Sequence, residues 1–464
     1  MIRLKIIPAL DPEFLPAVLW NRAYRDLVAH DFGARPFVVA LIRGDGGVSR
    51  FEGRVLSAGH PAAALTRTYV ERLLKFLLWQ KGGCRVLMAG AGEIVPQLAQ
   101  AYGPAGARAF DAELLGERIY GRVFSVEAAE FARLPAVSDG QLSLGCQLDG
   151  CRIGFDLGGS DRKAAALIDG RVVFSEEVAW SPYFEKDPAY HLDGVHDSLA
   201  RAAAHLPRVD AIGGSAAGVY VGNEVRVASL FRGVPPDLFE RKIRRMFFTL
   251  QARWGGVPFV VVNDGEVTAL AGSMALNDNA VLGISMGTSQ AGGYVTPEGS
   301  ITPWLNELAF APIDYRPDAP RDEWSGDVGC GVQYLSQQAV GRLAARAGFE
   351  FPPSLPLPER LVAVQQALQG GDRRARAIYE TIGTFLGYAI AHYADFYAIR
   401  HVLVLGRVTS GEGGGILRDR ATAVLRAECP ATAGEIALHT PDEKFKRLGQ
   451  AVAAASLPRL SSTR

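Results

Sequence analysis

Residues Ile153-Gly-Phe-Asp-Leu-Gly-Gly-Ser-Asp-Arg-Lys-Ala-Ala-Ala-Leu-Ile-Asp-Gly170 decide how the chain is read. An apolar strand, Arg152–Phe155, delivers Asp156 into a Gly158-Gly159 turn, and a second strand, Lys163–Ile168, leaves at once. Asp169-Gly170 is a two-residue hairpin signal leading to a third strand, Arg171–Val178. Glycines in such a turn let backbone N–H groups approach a phosphate closely. Ser160 adds a hydroxyl and Asp161 a polar contact. Asp156, at the strand end, suits Mg²⁺ held through water, because hard cations take carboxylate oxygens. An ordinary hairpin would also hold two glycines; the aspartate at the strand end favours the phosphate reading.

Working outward, a helix pattern covers His196–Leu206, and the strand Val209–Ile212 ends in Gly213-Gly214. A hairpin follows at Gly222-Asn223. Pro236 opens an amphipathic helix with Phe239, Ile243, Met246, Phe247, Leu250 and Trp254 at helical spacing. The theme then repeats. The strand Val257–Val262 runs into Asn263-Asp264-Gly265, and a helix reaches about Ala275. Two strands, Ala280–Met286 and one near Gly292–Val295, flank Gly287-Thr288. A long helix, Ala375–Tyr397, precedes the strand His401–Leu405, which ends at Gly406, and a helix follows from about Gly415. Two similar lobes imply a ligand cleft. The expected domains are 1–145, 146–262 and 263–464, with a turn-rich linker at 134–141. Residues 1–145 read as an α+β domain: strands Pro36–Arg43 and Val48–Leu56, the helix Thr66–Gln80 and a strand from Cys84. The order admits a worn third copy of the unit, but its hairpin lacks an Asp-x-Gly-Gly loop.

Composition bounds the function. The chain has 464 residues, with 49 Lys plus Arg against 49 Asp plus Glu, so net charge drives it to neither nucleic acid nor a membrane surface. At 48% hydrophobic it has ample core material and is not a disordered chain. It contains no apolar run of transmembrane length and no signal-peptide pattern at its start. The five cysteines, Cys84, Cys146, Cys151, Cys330 and Cys429, read as reduced thiols of a cytoplasmic protein. His392, on the long helix, reads as a packing or surface residue.

Gly154-Phe-Asp-Leu-Gly-Gly-Ser160 resembles the first phosphate loop of the actin, sugar kinase and Hsp70 superfamily. Asn263-Asp264-Gly-Glu-Val-Thr-Ala-Leu-Ala-Gly272 resembles the catalytic segment of its ROK family, the repressors, uncharacterised frames and sugar kinases. Gly283-Ile-Ser-Met-Gly-Thr-Ser-Gln-Ala-Gly-Gly-Tyr294 is then similar to the second phosphate loop, and Val402-Leu-Val-Leu-Gly-Arg407 to the adenosine-side segment. The resemblance spans about 150–460. It implies an α/β fold of two RNase H-like lobes closing on Mg-ATP and a small substrate, with the α+β domain in front. Asp264 would be the base taking a substrate hydroxyl proton, and Asn263 would hydrogen-bond the substrate. Gly158, Gly159, Ser160, Gly287, Thr288, Gly406 and Arg407 would line the nucleotide.

The chain departs from the ROK pattern on the substrate side. Glu307 is kept, but Phe310 stands in place of a His, Val332 in place of a Glu, and Ser229 in place of a sugar-binding Asn. Of the family's zinc run only Gly326-Asp-Val-Gly-Cys330 persists, and one Cys cannot supply four ligands, so no zinc is expected. Ser289, Gln290 and Ala291 replace glycines of the second loop. The leading expectation is an ATP- and Mg²⁺-dependent kinase of a hydroxyl on a small molecule, a sugar or sugar derivative. No nucleic-acid or membrane partner is expected, and a homodimer is left open. The alternative is a non-catalytic, regulatory nucleotide- or metabolite-binding protein on the same scaffold. A partner-activating ATPase ranks last, for want of clustered cysteines.

Overall fold

The structure is a computed structural model that describes residues 2–139, 145–440 and 443–460. The chain forms two compact units. The first comprises Met1–Gly140, Ile284–Gly292 and Trp304–Thr440; the second comprises Gln141–Gly283, Gly293–Pro303 and Pro441–Arg464. These boundaries differ from the three-part division expected from the sequence, of which positions 140–144 lie outside the described residues. The first 140 residues do not stand apart, and Asp264 shares a unit with Asp156.

In the first unit a four-stranded sheet has the order β2-β1-β3-β4, where β1 is Arg35–Ile42, β2 Val48–Val55, β3 Arg85–Ala89 and β4 Ser125–Ala128. β1 is antiparallel to both β2 and β3. The helix Leu65–Lys81 buries Val70, Leu73, Leu74, Leu77 and Leu78, the stripe its periodicity predicts. Three kinds of contact join this region to the rest of the unit. The Phe14 ring lies 4.8 Å from Phe385 and 5.5 Å from Tyr334. Ala17 N–H donates to the Ile313 carbonyl (2.9 Å) and Tyr315 N–H to that of Leu15 (3.0 Å). Lys75, fully buried, holds Asp111 (2.9 Å) and Asp327 (3.0 Å). The long helix, Arg373–Tyr393, buries Ile378, Ile382, Phe385, Ala389 and Tyr393 as expected, and His392 with them.

The second unit is built on a five-stranded sheet of order β11-β8-β5-β6-β7. Here β5 is Cys151–Leu157, β6 Asp161–Ile168, β7 Arg171–Ala179, β8 Ala211–Ala216 and β11 Phe259–Asn263, while β9 (Val219–Val221) and β10 (Glu224–Val227) form a separate hairpin. β5, β6 and β7 are antiparallel neighbours; β8 runs parallel to β5, and β11 parallel to β8. This is the strand pattern of an RNase H-like lobe. The N-terminal sheet does not repeat it, since β3 runs antiparallel to β1, so residues 1–139 are no third copy. The core gathers Phe155, Phe247, Phe259, Ile212 and Val195. The helix Glu443–Ala455 packs on β5 and β8, made possible by two glycines: a Cβ at Gly154 would collide with the Ala451 carbonyl, and one at Gly213 with that of Ala454.

Two elements differ from expectation for local reasons. The first helix of the unit starts at Pro188, because Asp187 caps it by accepting from Ala189 N–H and Pro188 tolerates the first helical position. The helix expected from Pro236 to Trp254 is broken by a π segment, Phe239–Ile243, before Met246–Arg253. Val225 N–H takes the Arg244 carbonyl (2.9 Å), drawing that residue out of the regular ladder.

The last sheet has the order β13-β12-β14-β15, with β12 Val281–Met286, β13 Gln290–Val295, β14 His401–Leu405 and β15 Ala437–His439. The chain passes from one unit to the other within β12 and returns within β13.

Candidate active site

Strand register explains how the second unit assembles its carboxylates. Asp156 lies opposite Ser215 on β8 and opposite Lys163 on β6. The Ser215 hydroxyl donates to Asp156 Oδ1 (2.6 Å), and Lys163 Nζ sits 3.5 Å from Oδ2 while holding Asp161 at 2.9 Å. Asp156 is only 5% exposed. Burial raises its pKa, and Ser215 and Lys163 offset part of that rise. β11 ends at Asn263, and Asp264 begins the next helix, Asp264–Leu276. The Asp264 carboxyl is pushed up to about 6, first by burial and then by the negative charge of Asp156. The two carboxylates of the sequence reading are therefore electrostatically coupled within one unit.

Asn263 caps that helix. Its Oδ1 accepts from Gly265 N–H (2.7 Å) and its Nδ2 donates to the Gly218 carbonyl (2.7 Å). The helix is seated by Glu266, whose Oε2 accepts from Tyr294 N–H (3.1 Å), and by Gly293, where a Cβ would strike the Gly265 carbonyl.

The first loop is held from one side. Gly158 N–H closes the turn onto the Asp161 carbonyl (2.9 Å), and the Ser160 hydroxyl donates to Asp161 Oδ2 (2.8 Å). Trp180 Nε1 donates to the Gly158 carbonyl (2.7 Å). Ser229, exposed, opens a 3₁₀ turn ending at Phe231.

The remaining expected residues belong to the first unit. Gly287 N–H donates to the Ser289 carbonyl (2.9 Å), its own carbonyl accepts from Gln337 N–H (2.9 Å), and Thr288 is exposed. Gly406 adopts φ +101°, and its Cα lies so near Met286 that a Cβ would meet the Met286 backbone at 2.5 Å. Arg407 is exposed, and its carbonyl accepts from Gln365 Nε2 (2.9 Å). Glu307 is half-buried, its N–H donating to the Trp79 carbonyl (3.0 Å). Phe310 packs on Trp79 (4.4 Å) and Phe110 (5.5 Å), and Val332 is buried, so both positions are apolar. Cys330 is fully buried and its thiol is pushed up to about 12 by burial. Among the described residues no group of three or more His, Cys, Asp or Glu is arranged to hold a metal. The cation beside Cys330 is the Lys75 ammonium. Burial alone would lower its pKa, and Asp111, Cys330 and Asp327 outweigh that.

No family model and no curated protein matches the chain. Solved structures do. A ROK family glucokinase from Streptomyces griseus, in complex with glucose and AMPPNP, superposes with a TM-score of 0.51 at 21% identity over 67% of this chain and 100% of that one. The ROK hexokinase from Thermus thermophilus gives 0.51 at 20% identity over 66% and 97%. The fold is that of the ROK proteins. A ROK family transcriptional regulator, a homologue of the E. coli MLC protein, gives 0.50 at 18% over 69% and 79%, so the ROK fold here is shared with kinases and a regulator alike.

Sequence reasoning singled out Asp156 and Asp264 but passed over their neighbours Lys163 and Ser215. Both were readable in principle, since each sits directly across from Asp156 once the strands are paired. Tyr220 was also missed: burial raises its hydroxyl pKa, the charge of Asp264 adds to the rise, and its ring edge meets Phe247.

Proposed function

We propose that the chain is a ROK-type, ATP-dependent phosphotransferase acting on a hydroxyl of a small molecule, a sugar or sugar derivative. The coupled Asp156–Asp264 pair carries this reading. A carboxyl that titrates near 6 is a base of useful strength at neutral pH, ready to take a hydroxyl proton as the acceptor oxygen attacks. A buried Asp156 whose charge raises the proton affinity of Asp264 is also a suitable setting for a divalent cation, which offsets that repulsion. Asp156 would hold Mg²⁺ through water, with Asp264 nearby; bound there, Mg²⁺ neutralises phosphate charge. Lys163 and Ser215 fix the Asp156 carboxylate in place, and Asn263 fixes the start of the Asp264 helix. Gly159 and Ser160 N–H groups have no acceptor among the described residues and are available to phosphate oxygens. Within this unit Gly158 completes the proposed phosphate loop and Ser229 is the proposed acceptor contact; Gly287, Thr288, Gly406 and Arg407 are the nucleotide candidates, and Glu307 the acceptor candidate, of the other unit.

The apolar Phe310 and Val332 favour an acceptor other than glucose, because a site lacking a partner loses about 0.5–1.5 kcal/mol for each hydrogen bond not made. They also keep a second reading in view, a regulatory protein that binds nucleotide or metabolite without turnover. A screen of sugars and sugar derivatives for Mg-ATP consumption separates the two. Turnover abolished by Asp264→Asn supports the kinase; ligand binding with no product supports the regulator.

A further inference from the structure

We propose that Arg232 and Tyr183 form a clamp for the terminal phosphoryl group on the first phosphate loop; the clamp rests on the phosphotransferase reading above and adds two residues to its nucleotide site. The segment after β7 is pinned to the loop at two points, by Trp180 Nε1 on the Gly158 carbonyl (2.7 Å) and Trp180 N–H on the Ser160 carbonyl (3.0 Å). Three residues on, the Tyr183 ring lies against Gly159 so closely that a Cβ there would strike its hydroxyl end. The glycine leaves room for the tyrosine in this position, and its hydroxyl end lies against the loop.

Tyr183 is also half of a platform. The Arg232 guanidinium carbon is 4.2 Å from the centroid of the Tyr183 ring and 4.9 Å from that of Phe184. The backbone beneath is tied from both sides: His191 Nε2 lies 3.1 Å from the Pro182 carbonyl and 3.3 Å from that of Leu230, and Gly233 packs on the Phe184–Glu185 backbone. A guanidinium stacked on aromatic faces keeps its in-plane N–H donors free for a bidentate acceptor.

Its charge is unspent. Several other arginines of this unit are matched with acids, among them Arg162 with Asp197, Arg226 with Glu224, Arg241 with Asp237, Arg244 with Glu240 and Arg253 with Asp193, whereas Arg245, which lies over Phe248, shares with Arg232 the lack of such a partner among the described residues. Arg232 is exposed and has no carboxylate partner among the described residues. The acid belonging to the loop, Asp161, is held by Lys163 at 2.9 Å. The Gly159 and Ser160 N–H groups, the Tyr183 hydroxyl and the Arg232 guanidinium thus offer donors around one glycine turn, which suits a group made only of acceptors. A phosphoryl group fits that description better than a sugar hydroxyl, which both donates and accepts.

The test is calorimetric titration of the full chain with Mg-AMPPNP and with Mg-ADP, for wild type, Arg232→Ala, Arg232→Lys and Tyr183→Phe, with thermal melts to verify folding. Arg232→Ala is expected to weaken Mg-AMPPNP about tenfold or more while changing Mg-ADP less than about twofold. Arg232→Lys recovers part of the loss, and Tyr183→Phe, which keeps the platform, shows a smaller selective loss. Equal weakening of both nucleotides, no change in either, or an effect confined to acceptor binding overturns the clamp and leaves the phosphotransferase reading standing. A wild-type protein that binds neither nucleotide overturns that reading and the clamp together.

Discussion

Asp264 is the residue on which the proposed chemistry turns, and its environment sets the sign of two pH effects. As the proposed general base it would work deprotonated. With the carboxyl near 6, kcat/KM is expected to be flat above that pH and to fall about tenfold per pH unit below it. Mg²⁺ bound beside it would stabilise the carboxylate form, so saturating Mg²⁺ is expected to move this acid limb to lower pH, which a profile at two Mg²⁺ concentrations reads directly. Stability runs the other way. The folded pKa lies above the unfolded one, so the native state holds the extra proton between about 4 and 6, and its stability declines as pH rises through that window. Asp264→Asn removes this half-buried charge. It is expected to lower turnover by about 10²–10⁴-fold while raising stability near pH 7 by up to about 3 kcal/mol. A variant that loses both activity and stability would indicate a structural role instead.

At the scale of elements, the hairpin β5–β6–β7 and the Asn263-Asp264 helix start were legible because glycine, aspartate and asparagine signal turns and caps locally. What packs on what was not. Nothing near residue 450 announces that the chain returns to cover β5 and β8, since the signal is the absence of a side chain at Gly154 and Gly213, far away in sequence. Gly213→Ala is expected to cost more than about 1–3 kcal/mol, because it pits a methyl group against the backbone carbonyl of Ala454 in a packed site. Urea melts compared with an exposed glycine variant such as Gly222→Ala check this. Lys75 lies off the apolar stripe of its helix, and its buried place between Asp111 and Asp327 depends on partners 36 and 252 residues downstream, beyond any periodicity argument. Lys75→Met leaves Asp111 without its ammonium, while Arg72 and Arg108 still hold Asp327, and is expected to destabilise by about 3–5 kcal/mol. Asp327 is held below its usual range by Lys75 and Arg72 against an opposing burial effect, so its contribution is present above the unfolded carboxylate pKa and is lost only as pH falls through the depressed value. A melt at neutral pH therefore reads the full effect.

For the molecule as a whole, the two phosphate-loop candidates, Gly158-Gly159 and Gly287-Thr288, lie in different compact units; the linear reading also separated them but drew its boundary at 262/263, whereas the chain crosses between the units inside β12 and again inside β13. Ligand that engages the native state raises the melting temperature by mass action, by about 2.7 kcal/mol of stability at a hundredfold excess over Kd. Mg-ATP is expected to produce such a shift, and EDTA to remove most of it. The most direct test is ADP release measured across a panel of sugars and sugar derivatives, wild type against Asp264→Asn, each shown to bind Mg-ATP. The expected result is acceptor-dependent ADP release by the wild type that falls at least a hundredfold in the variant. Equal release by the two proteins would contradict the role given to Asp264, and Mg-ATP binding with no release for any acceptor would contradict the kinase.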